Sequence, residues 1–98
     1  MNLDRDSVLV QDREPTATEL DDGVVLLSLR AGAYFGLNRV GSEIWRMLAA
    51  PCRVGQVFDA LLARHEVDGE QVARDVTPFL QALIEHGLVR PVTAGGPR

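Results

Sequence analysis

An α+β fold follows from three features of how apolar residues are ordered along the chain. Short β-prone runs occupy its first part, the last of them switches abruptly to helical spacing, and three amphipathic helical segments fill the rest. The expected architecture is a three-stranded antiparallel sheet followed by three helices, βββααα.

The first strand is "SVLVQ", Ser7 to Gln11, closed by the polar run Asp12-Arg13-Glu14-Pro15. The second, "GVVLLSL", spans Gly23 to Leu29 after the turn-forming Asp21-Asp22-Gly23. It is too continuously apolar for an exposed strand and is assigned to the centre of the sheet. Arg30-Ala31-Gly32 has the length and the glycine of a hairpin loop, which returns Ala33 to Leu37 antiparallel beside Val24 to Leu29 as an edge strand.

Immediately afterwards Val40, Ile44 and Leu48 recur at helical spacing. Asn38 is placed to cap this first helix, and Pro51 to stop it after Ala50. Gly41, four residues before Trp45, is expected to admit a close contact there. The second helix runs from about Val54 to His65, with Val54, Val57, Phe58, Leu61 and Leu62 on one face. Its start is weakly marked, because Cys52 and Arg53 stand where a Ser or Thr cap is usual. The third begins at Asp68 with Gly69-Glu70-Gln71, an approximate capping box, carries Val72, Val76, Phe79, Leu80 and Leu83 as its apolar stripe, and ends at Gly87. Pro78 removes one backbone hydrogen bond inside it and is expected to bend it, at a cost of up to about 3 kcal/mol.

Helices on one face of a small sheet, themselves forming a tri-helical unit with a hairpin, make a winged-helix-like domain. One domain is assigned to 1–92 and a disordered tail to 93–98, the Gly- and Pro-rich composition setting in at Pro91.

A chain of 98 residues forms one domain and buries roughly two-thirds of its unfolded surface. The formal net charge of -4 disfavours a polyanionic partner, since no basic face is concentrated in the sequence. The single Cys52 excludes an intramolecular disulfide. No run approaches the roughly 20 apolar residues of a membrane span, and the start, Met1-Asn2-Leu3-Asp4-Arg5-Asp6, lacks the apolar core of a secretory signal. A soluble, cytoplasmic protein is expected.

Catalysis is not expected. His65 and His86 each sit near a helix end, where an imidazolium interacts favourably with the dipole. Cys52 with His65 would need a third orienting residue to act as a nucleophile and base, and none is evident. One cysteine and two distant histidines do not make a metal site, and neither phosphate-binding glycine pattern occurs. DNA binding through the third helix is the obvious alternative for this architecture. That helix carries Glu70, Asp75 and Glu85 against Arg74 alone, the wrong sign for phosphates.

The remaining candidate is the edge strand. Ala33-Tyr34-Phe35-Gly36-Leu37 has neither the charges nor the proline that usually protect an edge. Either its apolar residues are core and the N-terminal segment covers it, or it stands open beside the third helix to take an extended peptide as a further strand. The residues alone leave both readings open.

The stretches "GVVLLSLRAGAYFGLNRVGSEIWRML" and "VGQVFDALLARHEVDGEQVARDVTPFLQALIEHGLV" closely resemble the PqqD-like family of peptide-recognition domains, and within it the stand-alone leader-binding proteins of lasso-peptide biosynthesis. The resemblance spans about Val8 to Val92. Its more specific parts are Tyr34-Phe35-Gly36-Leu37-Asn38, Gly41 followed by Ile44-Trp45, and the ending from Asp75 to Val89. It implies a RiPP recognition element, a non-catalytic domain without cofactor or metal that binds the leader of a ribosomally made precursor peptide. By that resemblance Ala33, Tyr34, Phe35, Gly36 and Leu37 supply the receiving strand. Val72, Asp75, Val76, Phe79, Leu80 and Leu83 supply the helix wall, and Arg74 pairs with a leader carboxylate. The implied partners are the precursor leader, a leader-removing cysteine protease and an ATP-dependent cyclase, with no nucleic acid and no membrane. PqqD proper has a proline- and glutamate-containing segment where this chain has "AGAYFGLN", which argues against the alternative of a PqqD-type carrier for a radical enzyme.

Overall fold

The computed structural model describes residues 3–65 and 68–92. Its elements are β1 (Val8–Gln11), β2 (Thr16–Leu20), β3 (Gly23–Ser28), β4 (Ala33–Leu37), α1 (Arg39–Met47), β5 (Cys52–Arg53), α2 (Val54–Arg64), α3 (Gly69–Glu85) and β6 (Val89–Val92). They form two antiparallel sheets, ordered β5-β1-β6 and β2-β3-β4, with three helices. The α+β class, the hairpin and the helix succession agree with the sequence reading, and β3 is the central strand of its sheet.

The strand roster differs from the expected three. Ser7–Gln11 does not join the hairpin: β1 pairs with β5 and β6 and so ties the two ends of the chain together. The third member of the hairpin sheet is β2, "TATEL", in register with β3 from Thr16 opposite Leu27 to Leu20 opposite Gly23. Every residue of β2 is exposed. A strand with no buried face shows no apolar alternation, so patterning cannot reveal it. Pro91, read as the start of a tail, instead lies in β6 opposite Leu9. β6 is an edge strand, where a residue without an N–H is tolerated. The tail assigned to 93–98 falls outside the described residues.

The core forms where β3 turns Val24 and Leu26 inward against Ile44, Trp45 and Leu48 of the α1 region and Val76, Leu80 and Leu83 of α3. Leu9 joins the same core from β1 and is fully buried. α1 is capped as expected, Asn38 Oδ1 accepting from the Gly41 N–H at 2.8 Å. It ends at Met47, earlier than Pro51 requires, because the Leu48 N–H is shared between the carbonyls of Ile44 and Trp45 in a tightening last turn. At the weakly marked start of α2, the Gln56 side chain reaches back to accept from the Arg53 N–H at 2.9 Å. Asp68 caps α3, accepting from the Gln71 N–H at 2.8 Å. α3 runs unbroken past Pro78, which lies on an exposed face, and closes at Gly87 with φ +74°, while the Leu88 N–H bonds the Leu83 carbonyl.

Two polar side chains fix the hairpin relative to the helices. Ser42 of α1 is buried, accepts from the Val24 N–H at 2.9 Å and donates to the Leu37 carbonyl at 3.2 Å, locking the start of α1 to the end of β4. At the other end of the hairpin, Glu14 accepts from Ser28 Oγ at 2.6 Å and the Leu29 N–H at 2.8 Å, so its carboxylate caps the β3–β4 turn. Gly23 is required at its position, since a Cβ there would run into the Leu37 carbonyl oxygen.

Candidate peptide-binding groove

Among the described residues β4 pairs only with β3 and forms one edge of its sheet; the N-terminal strand β1 belongs to the other sheet. Its side chains alternate. Ala33, Phe35 and Leu37 are half-buried toward the helices, whereas Tyr34 and Gly36 face outward, Tyr34 with 73% of its surface exposed. Leu37 faces Val24 and Phe35 faces Leu26 across the ladder, so the inward set continues the core to the edge.

Beside that edge lies an open cleft of about 550 Å³. Gly36 and Leu37 of β4 form one side, Asn38 and the first turns of α1 (Val40, Gly41, Ile44) the base, and Asp75, Val76 and Phe79 of α3 the far wall. Gly41 shapes the base: a Cβ there would stand 3.1 Å from Phe79 Cζ, so the close approach that this glycine permits is to α3. The cleft continues into a smaller hollow of about 170 Å³ between α2 and α3, which shares Val40, Asp75 and Val76 and adds Leu61, His65 and Val72. Toward the other end of α3, the Phe35 ring packs against His86 with centroids 4.8 Å apart.

The residues singled out from sequence fall into distinct places. Gly36, Leu37, Asp75, Val76 and Phe79 meet around the cleft, and Val72 lines the adjoining hollow. Leu80 and Leu83 are buried in the core behind the wall, at 0% and 3% exposure. Ala33, Tyr34 and Phe35 lie farther along the edge strand. Arg74 is exposed and lines neither space; the charged group on the wall is Asp75, which has no hydrogen bond or ion pair among the described residues. Asn38, Val40, Gly41 and Ile44 were not singled out as site residues. Val40 carried the available signal, an apolar residue on the first turn that remains 37% exposed.

No catalytic centre is assembled from Cys52 and His65. They stand at opposite ends of α2, an eleven-residue helix about 16 Å long, and burial pushes the Cys52 thiol above its ordinary value, away from the reactive thiolate. His65 instead lies 3.3 Å from Glu43, which also pairs with Arg64 at 3.5 Å. The described residues contain no cluster able to hold a metal ion. No described helix is long and apolar enough to cross a membrane.

A strand edge that is unpaired among the described residues and faces an apolar helical wall across an open cleft has the geometry to which an extended peptide can add as a further strand. A family model described as coenzyme PQQ synthesis protein D matches residues 23–89. The chain belongs to this PqqD family. Among solved structures, it is similar to TbiB1 in complex with the TbiA(beta) leader peptide, at 37% identity over 91% of this chain and 99% of that one, with a TM-score of 0.75. It is also similar to a lasso peptide synthetase B1 complexed with its leader peptide, at 28% identity over 85% and 98% of the two chains, with a TM-score of 0.74. None of the curated proteins matches the chain.

Proposed function

We propose that this protein is a non-catalytic recognition protein that binds the leader of a ribosomally made precursor, a lasso peptide, by adding it as a strand to β4. The observation that carries this reading is the β4 edge, unpaired among the described residues and without charge or proline, bordering a cleft walled by Val76 and Phe79. Its two similar structures are both complexes with leader peptides. Backbone hydrogen bonds to β4 supply affinity that is indifferent to sequence, and apolar leader side chains entering the cleft supply selectivity. Asp75 adds a negative charge to the wall, so a basic leader residue is the complementary neighbour. The leader loses conformational freedom on binding, which places the affinity between about nanomolar and micromolar, with a few anchors contributing most of it.

The protein makes and breaks no bond in this scheme. By holding the leader it raises the effective concentration of the scissile segment at a leader-removing cysteine protease, and an ATP-dependent cyclase then acts on the released core. The binding unit is the whole of 1–92, because β1 and β6, largely outside the family-matched stretch, pair with each other and close the fold. A DNA-binding role is disfavoured by charge: Arg5, Arg30, Arg46 and Arg64 are each engaged by a carboxylate, and the exposed side of α3 is acidic.

The test is a fluorescence anisotropy titration with labelled synthetic leaders encoded by small open reading frames beside the gene. Saturable binding by one leader and not by its scrambled sequence is expected. A folded protein that binds none of them would overturn the proposal.

A further inference from the structure

Gly36 has no evident reason to be glycine within this chain. Its φ is not positive, and among the described residues a Cβ added there would meet nothing within 4 Å. A glycine inside a strand costs conformational entropy and gives up cross-strand packing, and it commonly marks the close approach of a ligand. Its position makes that cost informative. Gly36 faces outward from the edge strand, opposite Val25 of β3 and two residues from the exposed Tyr34. The missing side chain opens a second cleft, about 310 Å³, on the face away from Phe79, with Leu20 and Val25 as its apolar floor. Gly36, Leu37 and Asn38 line both this cleft and the groove, so the two are continuous around the strand edge.

We infer that the outward dent at Gly36 is a second reading site for the bound leader, taking one large apolar or aromatic side chain. This rests on the leader-binding reading above. An added strand turns alternate side chains to opposite faces. Those facing α3 enter the groove, and the outward residue beside Gly36 has its Cβ within about 5 Å of the glycine. Nothing projects from Gly36 to stop that side chain lying flat across the strand onto Val25, the arrangement in which an aromatic neighbour covers a strand glycine. The leader is thereby read on both faces, and a strand placed one residue out of register would present the wrong set to each.

The experiment is a double-mutant cycle by fluorescence anisotropy, using the adjacent-gene leader that binds the wild-type protein and its single-alanine variants. Gly36→Val fills the dent and suits a strand, so its melting temperature should match or exceed that of the wild type, with Gly36→Ala as the milder control. Gly36→Val is expected to weaken the intact leader about tenfold, and Gly36→Ala less. One alanine variant, at an outward position, should lose about tenfold against wild type yet bind Gly36→Val no worse than the intact leader does. Unchanged binding by Gly36→Val, or losses that simply multiply at every leader position, would overturn the inference while leaving leader binding intact. If no leader binds the wild-type protein, the broader reading fails first and this one with it.

Discussion

The two edges of the hairpin sheet make a natural experiment. β2 and β4 flank the same central strand, are equal in length and are both unpaired on their outer side among the described residues. β2 carries polar residues, is exposed throughout, and holds Glu19 in an ion pair with Arg46 at 2.6 Å. β4 carries no charge and leans Phe35 and Leu37 into the core, with α3 standing across a cleft from it. On the proposed function, an edge becomes a binding site when a second, apolar wall stands beside it; without the wall it is a surface that charge keeps from aggregating.

Removing the wall should break this contrast most severely. Phe79→Asp puts a charge on the groove and is expected to weaken leader binding at least about a hundredfold, while circular dichroism still reports a folded protein. Asp75→Lys keeps the wall but inverts its charge. It should cost about tenfold for a leader with a basic residue there, and the loss should shrink as salt is raised. Calorimetry at several salt concentrations checks this.

How much of that contrast was readable depended on where each residue's signal came from. β3, the hairpin and α3 were legible because burial of one face imposes a period, and Asp68 and Gly87 punctuate the last helix with local chemistry. β2 had no such signal, since none of its residues is buried. β6 was hidden by Pro91, whose tolerance depends on an edge position that only the tertiary pairing with β1 creates. Helical spacing put Phe79 and Val76 on the apolar stripe of α3 and the family resemblance put them on the groove wall, but neither revealed the base: Gly41 pointed to a close contact without saying with which element. Leu80 and Leu83 share a stripe with Phe79, and only the packing of α3 on the core separates the buried side of that stripe from the side facing the cleft.

A smaller effect concerns the turn that starts β4. The hydrogen bond from Ser28 holds the Glu14 carboxyl below its ordinary value, assisted by the Leu29 and Arg30 backbones and opposed by desolvation. A carboxyl depressed in the folded state contributes stability that is fully present above its unfolded pKa and is lost as pH falls through the folded value. Thermal melts from neutral to acidic pH should therefore decline less steeply for Glu14→Gln than for wild type, and identical slopes would remove Glu14 from the account. The smallest change is expected at the opposite edge. Glu19→Gln removes the ion pair with Arg46, and leader affinity should stay within about twofold in the same titration.

The most direct measurement is amide hydrogen exchange, residue by residue, in the free protein and in the protein saturated with its leader. Strand addition to β4 predicts that amides within Ala33–Leu37 gain protection while those of Thr16–Leu20 do not, so that each edge serves as the control for the other. Protection appearing at Thr16–Leu20, or none at Ala33–Leu37 in a saturated complex, would contradict the assignment of β4 as the receiving strand.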